Sequence, residues 1–216
     1  MKHEAVKRLT VLSMLSALAF VVVAVARIPI MPIDFLKYEP KDVIIAIGGF
    51  LYGPMAALLI TTVVSVIEML TISSTGWIGL LMNILSSAGF ACTAALIYRK
   101  KHTLRGAIFG LLSGVLVMTG LMLLWNYLIT PLYMGTPRAE VANMLIPIFL
   151  PFNLLKGSLN AALTFLIFRP VLQLLRKTGL FPKKETAAGT KHFVWIGAVA
   201  VLITCVLLIL VMNGIL

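Results

Sequence analysis

The chain has 216 residues, of which 61% are hydrophobic and 12% charged, a composition too apolar for a water-soluble globular domain. A formal net charge of +11 fits nucleic-acid binding when the bases form a continuous stripe. Here they sit in short clusters between long apolar runs, the pattern of a membrane protein with its positive segments on one side, so nucleic acid is excluded.

The first apolar run, residues 9–26, follows Lys2, Lys7 and Arg8 and ends in Ala24-Val25-Ala26, which invites comparison with a secretory leader. It is longer than a leader's apolar core, and Arg27 and Pro29 are poor neighbours for cleavage, so the run is a retained span. Residues 28–42 carry prolines at positions 29, 32 and 40 and form a structured loop. Residues 43–52 are apolar but cover about half of the ~20 residues that cross a bilayer, and Gly53-Pro54 turns the chain into a full span at 55–70. Further spans follow at 76–98 and 106–132. A loop at 133–143 leads to a sixth span at 144–175. Residues 181–192 make a polar linker and 193–216 an additional carboxy-terminal span.

Charge counting orients this map. With the amino terminus in the cytoplasm, segments 1–8, 99–105 and 169–191 hold 13 Lys and Arg against 2 acids. The rest of the chain holds 5 bases (Arg27, Lys37, Lys41, Arg138, Lys156) and 5 acids (Asp34, Glu39, Asp42, Glu68, Glu140). That asymmetry sets topology. It also requires the short 43–52 stretch to be a separate passage, because merging it with the next span puts the Arg99 cluster on the wrong side. The expected fold is all-α, a polytopic bundle of six helices plus one appended helix, over residues 1–180 and 193–216.

Cys92 and Cys205 lie in apolar runs without metal-ligand spacing, and His3, His102 and His192 all lie in basic connecting segments. No metal site is expected. Nor does the chain contain a GxxxxGK[ST] motif, so energy for any active transport must come from a partner.

The polar residues inside the spans are the informative ones. Asn153, Lys156 and Asn160 are spaced i, i+3 and i+7 and share one helix face near the outer end of the sixth span. A lysine in a transmembrane helix costs roughly 3 kcal/mol, so it faces a bundle interior or a wet cavity and needs a partner. A snorkelling lysine beside two structural amides is the plainer account of the same spacing. Asn126, in Trp125-Asn126-Tyr127, ends the fifth span on the same side and either faces the same cavity or bridges helices. Asn83 and Glu68 are further intramembrane polar groups, and Glu68 is a candidate counter-charge for Lys156 or for a loop base. In the outer loop, residues 35–42, Glu39 can accept from hydroxyls or an imide, and Tyr38 or Phe35 can cover a ring face, unless the cluster is simply a solvated charge patch. On the first helix, Ser13 and Ala17 make a small-xxx-small pair, with Ala24 beyond, that lets another helix approach closely.

Taken together, Leu36-Lys37-Tyr38-Glu39-Pro40-Lys41-Asp42, Gly48-Gly49-Phe50-Leu51-Tyr52-Gly53-Pro54, Gly135-Thr136-Pro137-Arg138 and Leu150-Pro151-Phe152-Asn153-Leu154-Leu155-Lys156-Gly157 resemble the substrate-binding S components of energy-coupling factor (ECF) vitamin transporters, in their riboflavin-specific branch. The resemblance spans about residues 5–180. It implies a six-helix S component that captures riboflavin from outside. It also implies partners: a transmembrane coupling subunit driven by two cytoplasmic ATPase subunits. By position, Asn126, Asn153 and Lys156 resemble vitamin ligands, Leu36 to Glu39 the lid, and Ser13 and Ala17 the family's AxxxA docking motif, with Ser13 replacing the first alanine. Riboflavin is then cargo, and no cofactor is implied. Another vitamin or flavin analogue is the alternative on the same architecture. An intramembrane enzyme is the remote one, since no histidine falls in a span to serve a nucleophile or a metal.

Overall fold

A computed structural model describes residues 2–29 and 36–177, together with 198–199, 201–203, 205 and 206. The described helices are α1 (Lys2–Val25), α2 (Lys41–Tyr52), α3 (Pro54–Thr71), α4 (Gly76–Lys101), α5 (Leu104–Leu128), α6 (Thr130–Met134), α7 (Arg138–Met144) and α8 (Leu150–Lys177), with a π-helical turn at Leu145–Phe149. A short antiparallel ribbon, β1 (Ile28–Pro29) with β2 (Lys37–Tyr38), pairs Ile28 with Tyr38 and Pro29 with Lys37 within the expected loop. The linker and most of the appended span lie outside the described residues, and the described ones from 198 onward are helical.

Among the described residues, five helical stretches are long and apolar enough to cross a bilayer: Ala5–Val25, Pro54–Thr71, Gly76–Lys101, Leu104–Leu128 and Arg138–Leu174. Their outward faces are apolar, as lipid requires: Leu9, Met14, Leu18, Leu112 and Leu116 are all exposed. The interior holds the polar groups, including Glu68, Asn83, Asn126, Asn153, Lys156 and Asn160.

At 12 residues, α2 is only about 18 Å long, and nine of its residues are buried, so it is the central post of the bundle. It packs against α1, α3, α4 and α8. Its first residue, Lys41, meets Glu68 near the end of α3 at 2.6 Å. Its last turn lies at the opposite end, where the Arg8 guanidinium sits 5.8 Å from the Tyr52 ring centre and Arg99 approaches Gly53. The short helix therefore runs from the outer end to the basic inner end, as the charge count requires. Phe50, Tyr98 and Phe168 close the inner end as an aromatic cluster, with ring centres 4.6–5.5 Å apart.

Two boundaries differ from the sequence reading. The fifth span ends at Leu128 rather than 132, because Pro131 brings no N–H to the helical ladder and restricts the residue before it. The expected loop at 133–143 is largely helical: Gly135, at φ +66°, breaks α6, and Pro137 leads into α7, which continues through the π turn into α8.

Close approach of α4 and α5 depends on Gly110 and Gly114, a small-xxx-small pair. A Cβ at Gly114 would lie 2.5 Å from the Phe90 carbonyl oxygen, and one at Gly110 2.7 Å from that of Ala94, both backbone atoms that cannot swing aside. Gly120, on the same helix, has open space. Gly114→Ala is therefore expected to lower the thermal unfolding midpoint in detergent, with a cost of about 1–3 kcal/mol from overpacking. Gly120→Ala should leave it unchanged or slightly raised. Equal midpoints for the two variants would show that this helix contact is not tight.

Candidate functional site

The outer ends of α4, α5 and α8 and the β2 strand enclose a cavity of about 40 Å³. Six residues singled out in the sequence line it: Leu36, Glu39, Asn83, Asn126, Asn153 and Lys156. Lys37, Met82, Ser86, Met122 and Phe152 complete the wall. Beside it, a second cavity of about 40 Å³ shares Lys37, Glu39, Met82 and Asn83 and adds Arg27, Ser73, Ser74 and Thr75. A larger cavity, about 470 Å³, lies between α5, α8 and the carboxy-terminal segment, but its lining is apolar except for Ser158. Polar recognition needs convergent polar groups, so the outer cavity is the candidate site despite its size.

The α8 groups are set by the π turn. The Leu150 amide bonds the Leu145 carbonyl five residues back, and Pro147 and Pro151 supply no donor to the ordinary ladder. Asn153 donates its Nδ2 to the Phe149 carbonyl at 2.7 Å. Among the described residues its Oδ1 has no hydrogen-bond donor, and no acid lies within ion-pair distance of the ammonium of Lys156, a residue 7% exposed. One acceptor and one cationic donor, a helical turn apart, thus remain available at the cavity. Asn126 is committed differently: its Nδ2 donates to the Met122 carbonyl at 2.7 Å, and its Oδ1 accepts from the Thr130 hydroxyl at 2.8 Å.

Glu68 is not the partner of Lys156. Both its oxygens accept from Lys41, at 2.6 and 2.7 Å, and one also accepts from Asn83 Nδ2 at 2.9 Å. Lys41 is shared with Glu39 at 2.9 Å, and Glu39 also takes Arg27 at 2.6 Å. Arg27, just after α1, and Glu39, just after β2, therefore clasp the ribbon from either side. Burial alone would raise the Glu39 carboxyl above its ordinary 4.5, but Lys41, Lys156 and Arg27 outweigh it and hold the group down at about 2. Glu39 is an anion at any ordinary pH.

Tyr38 and Asn160 are not among the lining residues. The Tyr38 hydroxyl donates to Asn160 Oδ1 at 2.9 Å, and Asn160 Nδ2 donates to Asp42 at 3.2 Å, with the Ser87 hydroxyl on the other Asp42 oxygen. Burial, and then the Asp42 charge, push the Tyr38 phenol above its usual value, so it stays a donor. This chain holds β2 onto α2, α4 and α8. Ser13 and Ala17, by contrast, are exposed on the outer face of α1, together with Ala24.

Sequence reasoning passed over Lys37, Ser86 and Arg27 as site residues. Ser86 and Ser87 follow Asn83 at i+3 and i+4, a polar stripe in an apolar helix that marks an inward face. Met82, Met122 and Phe152 carry no such signal, since packing residues have the same composition. Among the described residues no group of three or more His, Cys, Asp or Glu is placed to hold a metal ion.

Residues 7–168 match the family described as ECF transporter, substrate-specific component. A protein named riboflavin transporter RibU from Staphylococcus aureus (strain TCH60) is 33% identical over 178 residues, covering 79% of this chain and 93% of its own. One named riboflavin transporter FmnP from Bacillus subtilis (strain 168) is 31% identical over 173 residues, covering 76% and 90%. A solved structure described as "Structure and mechanism of the S component of a bacterial ECF transporter" superposes with a TM-score of 0.67 at 30% identity, over 79% of this chain and 98% of that one. A bundle of apolar helices that gathers its polar groups at one outer cavity is what such a component requires, and the chain belongs to the ECF transporter substrate-specific component family, as a multi-pass membrane protein of a transporter and not an enzyme.

Proposed function

We propose that this chain is the riboflavin-binding subunit of an ECF importer, taking the vitamin from outside and passing it to a transmembrane coupling subunit driven by two cytoplasmic ATPase subunits. The observation that carries this reading is Lys156, a buried residue on the outer cavity with no paired acid among the described residues, in a chain whose relatives are named riboflavin transporters. A flavin has a flat ring system with an imide edge that both donates and accepts, and a hydroxylated side chain. Lys156 Nζ and Asn153 Oδ1 are complementary to such an edge, while Leu36, Met82, Met122 and Phe152 offer apolar ring contacts.

Pockets for ligands of this size usually enclose ~300–1,000 Å³. At about 40 Å³ the cavity is closed down, so entry of the vitamin requires the Leu36 to Glu39 strand to swing outward. That strand is the lid, and the Arg27–Glu39–Lys41 clasp is its latch. The exposed Ser13, Ala17 and Ala24 face is where the coupling subunit docks, since small residues let two helices approach closely.

Lys156→Ala is expected to weaken riboflavin binding about 10- to 100-fold, the loss of a charge-assisted hydrogen bond of roughly 1.5–3 kcal/mol. Asn126→Ala should cost less, since its amide is satisfied within its own protein and acts by shaping the wall. Titration by flavin fluorescence quenching checks both, and full affinity in the Lys156 variant would place the site elsewhere.

Ser13→Trp and Ala17→Trp should retain riboflavin binding and abolish uptake in cells, because a bulky side chain keeps a partner helix at a distance. Uptake at the normal rate by both variants would remove this face as the docking surface.

The latch also predicts a pH limb. In the closed lid Glu39 titrates at about 2, and once released to water it returns toward 4.5. Protons therefore bind the open state more tightly, so closure is fully favoured above about 4.5 and is lost as pH falls toward 2. Riboflavin release, followed from pH 7 to 3, should be flat down to about 5 and then accelerate. Glu39→Gln should remove that acceleration, and its persistence in the variant would assign it to another group.

A further inference from the structure

The family match ends at residue 168 and α8 at Lys177, yet the chain runs on to Leu216, and the described part of that extension lies against the bundle. Ala198, Leu202 and Cys205 are spaced i, i+4 and i+7, one face of a helix. Val199, Val201, Ile203 and Val206 are exposed. Ala198 packs against the core that holds Leu111, Val115, Ala161 and Phe165, beside the cavity of about 470 Å³. At Leu202 and Cys205 the same face closes onto the protein, and Cys205 is 5% exposed.

What it closes onto is the back of the lid. Leu202 and Cys205 belong to the same packed cluster as Leu36, Tyr38, Phe152 and Leu159. Leu36 and Phe152 face the ligand cavity on their other side, and Tyr38 is the residue that tethers β2 to α8 through Asn160. The lid thus lies between the vitamin site and a helix that is no part of the family match. Outward movement of Leu36 and Tyr38 has to displace Leu202 and Cys205, or part from them.

We infer that the carboxy-terminal helix is a backstop for the lid, with Leu202 and Cys205 as positioning residues that set how fast ligand leaves the site without touching it. A segment serving only as an extra membrane anchor has no reason to fill the wall behind the lid. The arrangement differs from the Arg27–Glu39–Lys41 latch in kind. The latch is electrostatic and holds the strand's end, whereas the backstop is apolar contact against its middle.

The inference rests on the proposed lid, and on riboflavin being the ligand only for the choice of probe. In the full-length protein, Leu202→Ala and Cys205→Ala should each speed riboflavin release severalfold, measured by chase with excess unlabelled vitamin. A purely structural role predicts unchanged release from the folded protein. In a Cys92→Ala background, Cys205 is the remaining thiol, and its alkylation by N-ethylmaleimide should slow severalfold when riboflavin is bound, because the closed lid then seldom parts from it. Without any ligand, adding Leu36→Ala to that background should speed alkylation severalfold, since the packing that shields the thiol is loosened. Release rates unchanged in both alanine variants overturn the inference. So does an alkylation rate indifferent both to riboflavin and to Leu36→Ala. A protein that binds no riboflavin refutes the proposed cargo instead, and the ligand-free alkylation comparison then decides the backstop by itself.

Discussion

The structure depends on how one ammonium is compensated. Lys41, 1% exposed, begins the central helix and is held by both oxygens of Glu68 and by Glu39. These attachments tie α2, where Lys41 stands, to α3 and to the residue that follows β2. Asn83 extends the same network to α4, and Arg27 extends it to the end of α1. Such a cluster is poor evidence for added stability, because the charges must be taken out of water. Removing one member leaves the others uncompensated at a cost of about 3–5 kcal/mol, so the geometry is fixed even where the net gain is small. That is the useful property at a binding site. The network sets the relative positions of four helices at the end where a ligand must be met by groups already in place.

Lys156 is the contrast that gives the site its meaning. The cluster neutralises Lys41 fully and leaves Lys156 without a paired acid among the described residues, although its charge still bears on Glu39. A cation in the bundle interior, next to an amide oxygen that also lacks a donor among the described residues, is what the proposed ligand would compensate. The two polar chains around it divide the work. Arg27, Glu39 and Lys41 hold the residue that follows β2, and Tyr38, Asn160, Asp42 and Ser87 fasten β2 to the bundle. Tyr38, read from its residue type as a ring cover, is engaged in fastening and is not among the cavity's lining residues. An aromatic residue in a binding loop has the same appearance in sequence whether its face meets ligand or its hydroxyl ties the loop down.

Much of the architecture was legible from composition. Lipid allows few ways to bury a backbone, so apolar runs, prolines and the distribution of Lys and Arg suffice to place helices and orient them. The short passage at residues 43–52 was read from its apolar run and the Gly53-Pro54 turn and required by charge parity, and its ends do meet the outer acid cluster and the inner basic cluster. The site was legible where a polar residue was expensive: Asn83, Asn126, Asn153 and Lys156 stand out against an apolar background, and all four reach one cavity. Met82, Met122 and Phe152 did not stand out, because nothing in their chemistry distinguishes a site wall from a core.

Residue types and their spacing by themselves determined that this is a multi-helix membrane protein, which way it faces, and which few polar side chains must point inward, because each of those answers follows from the cost of placing a charge or an open amide in hydrocarbon. Pairing was decided only in three dimensions. Glu68 had Lys156 or a loop base as its candidate partner, and the packing of α2 against α3 gave it Lys41, the first residue of α2, which in turn left Lys156 for the cavity. The reason is that an ion pair depends on distances of a few ångströms between segments far apart in the chain, and helix periodicity says nothing about which faces of which helices meet.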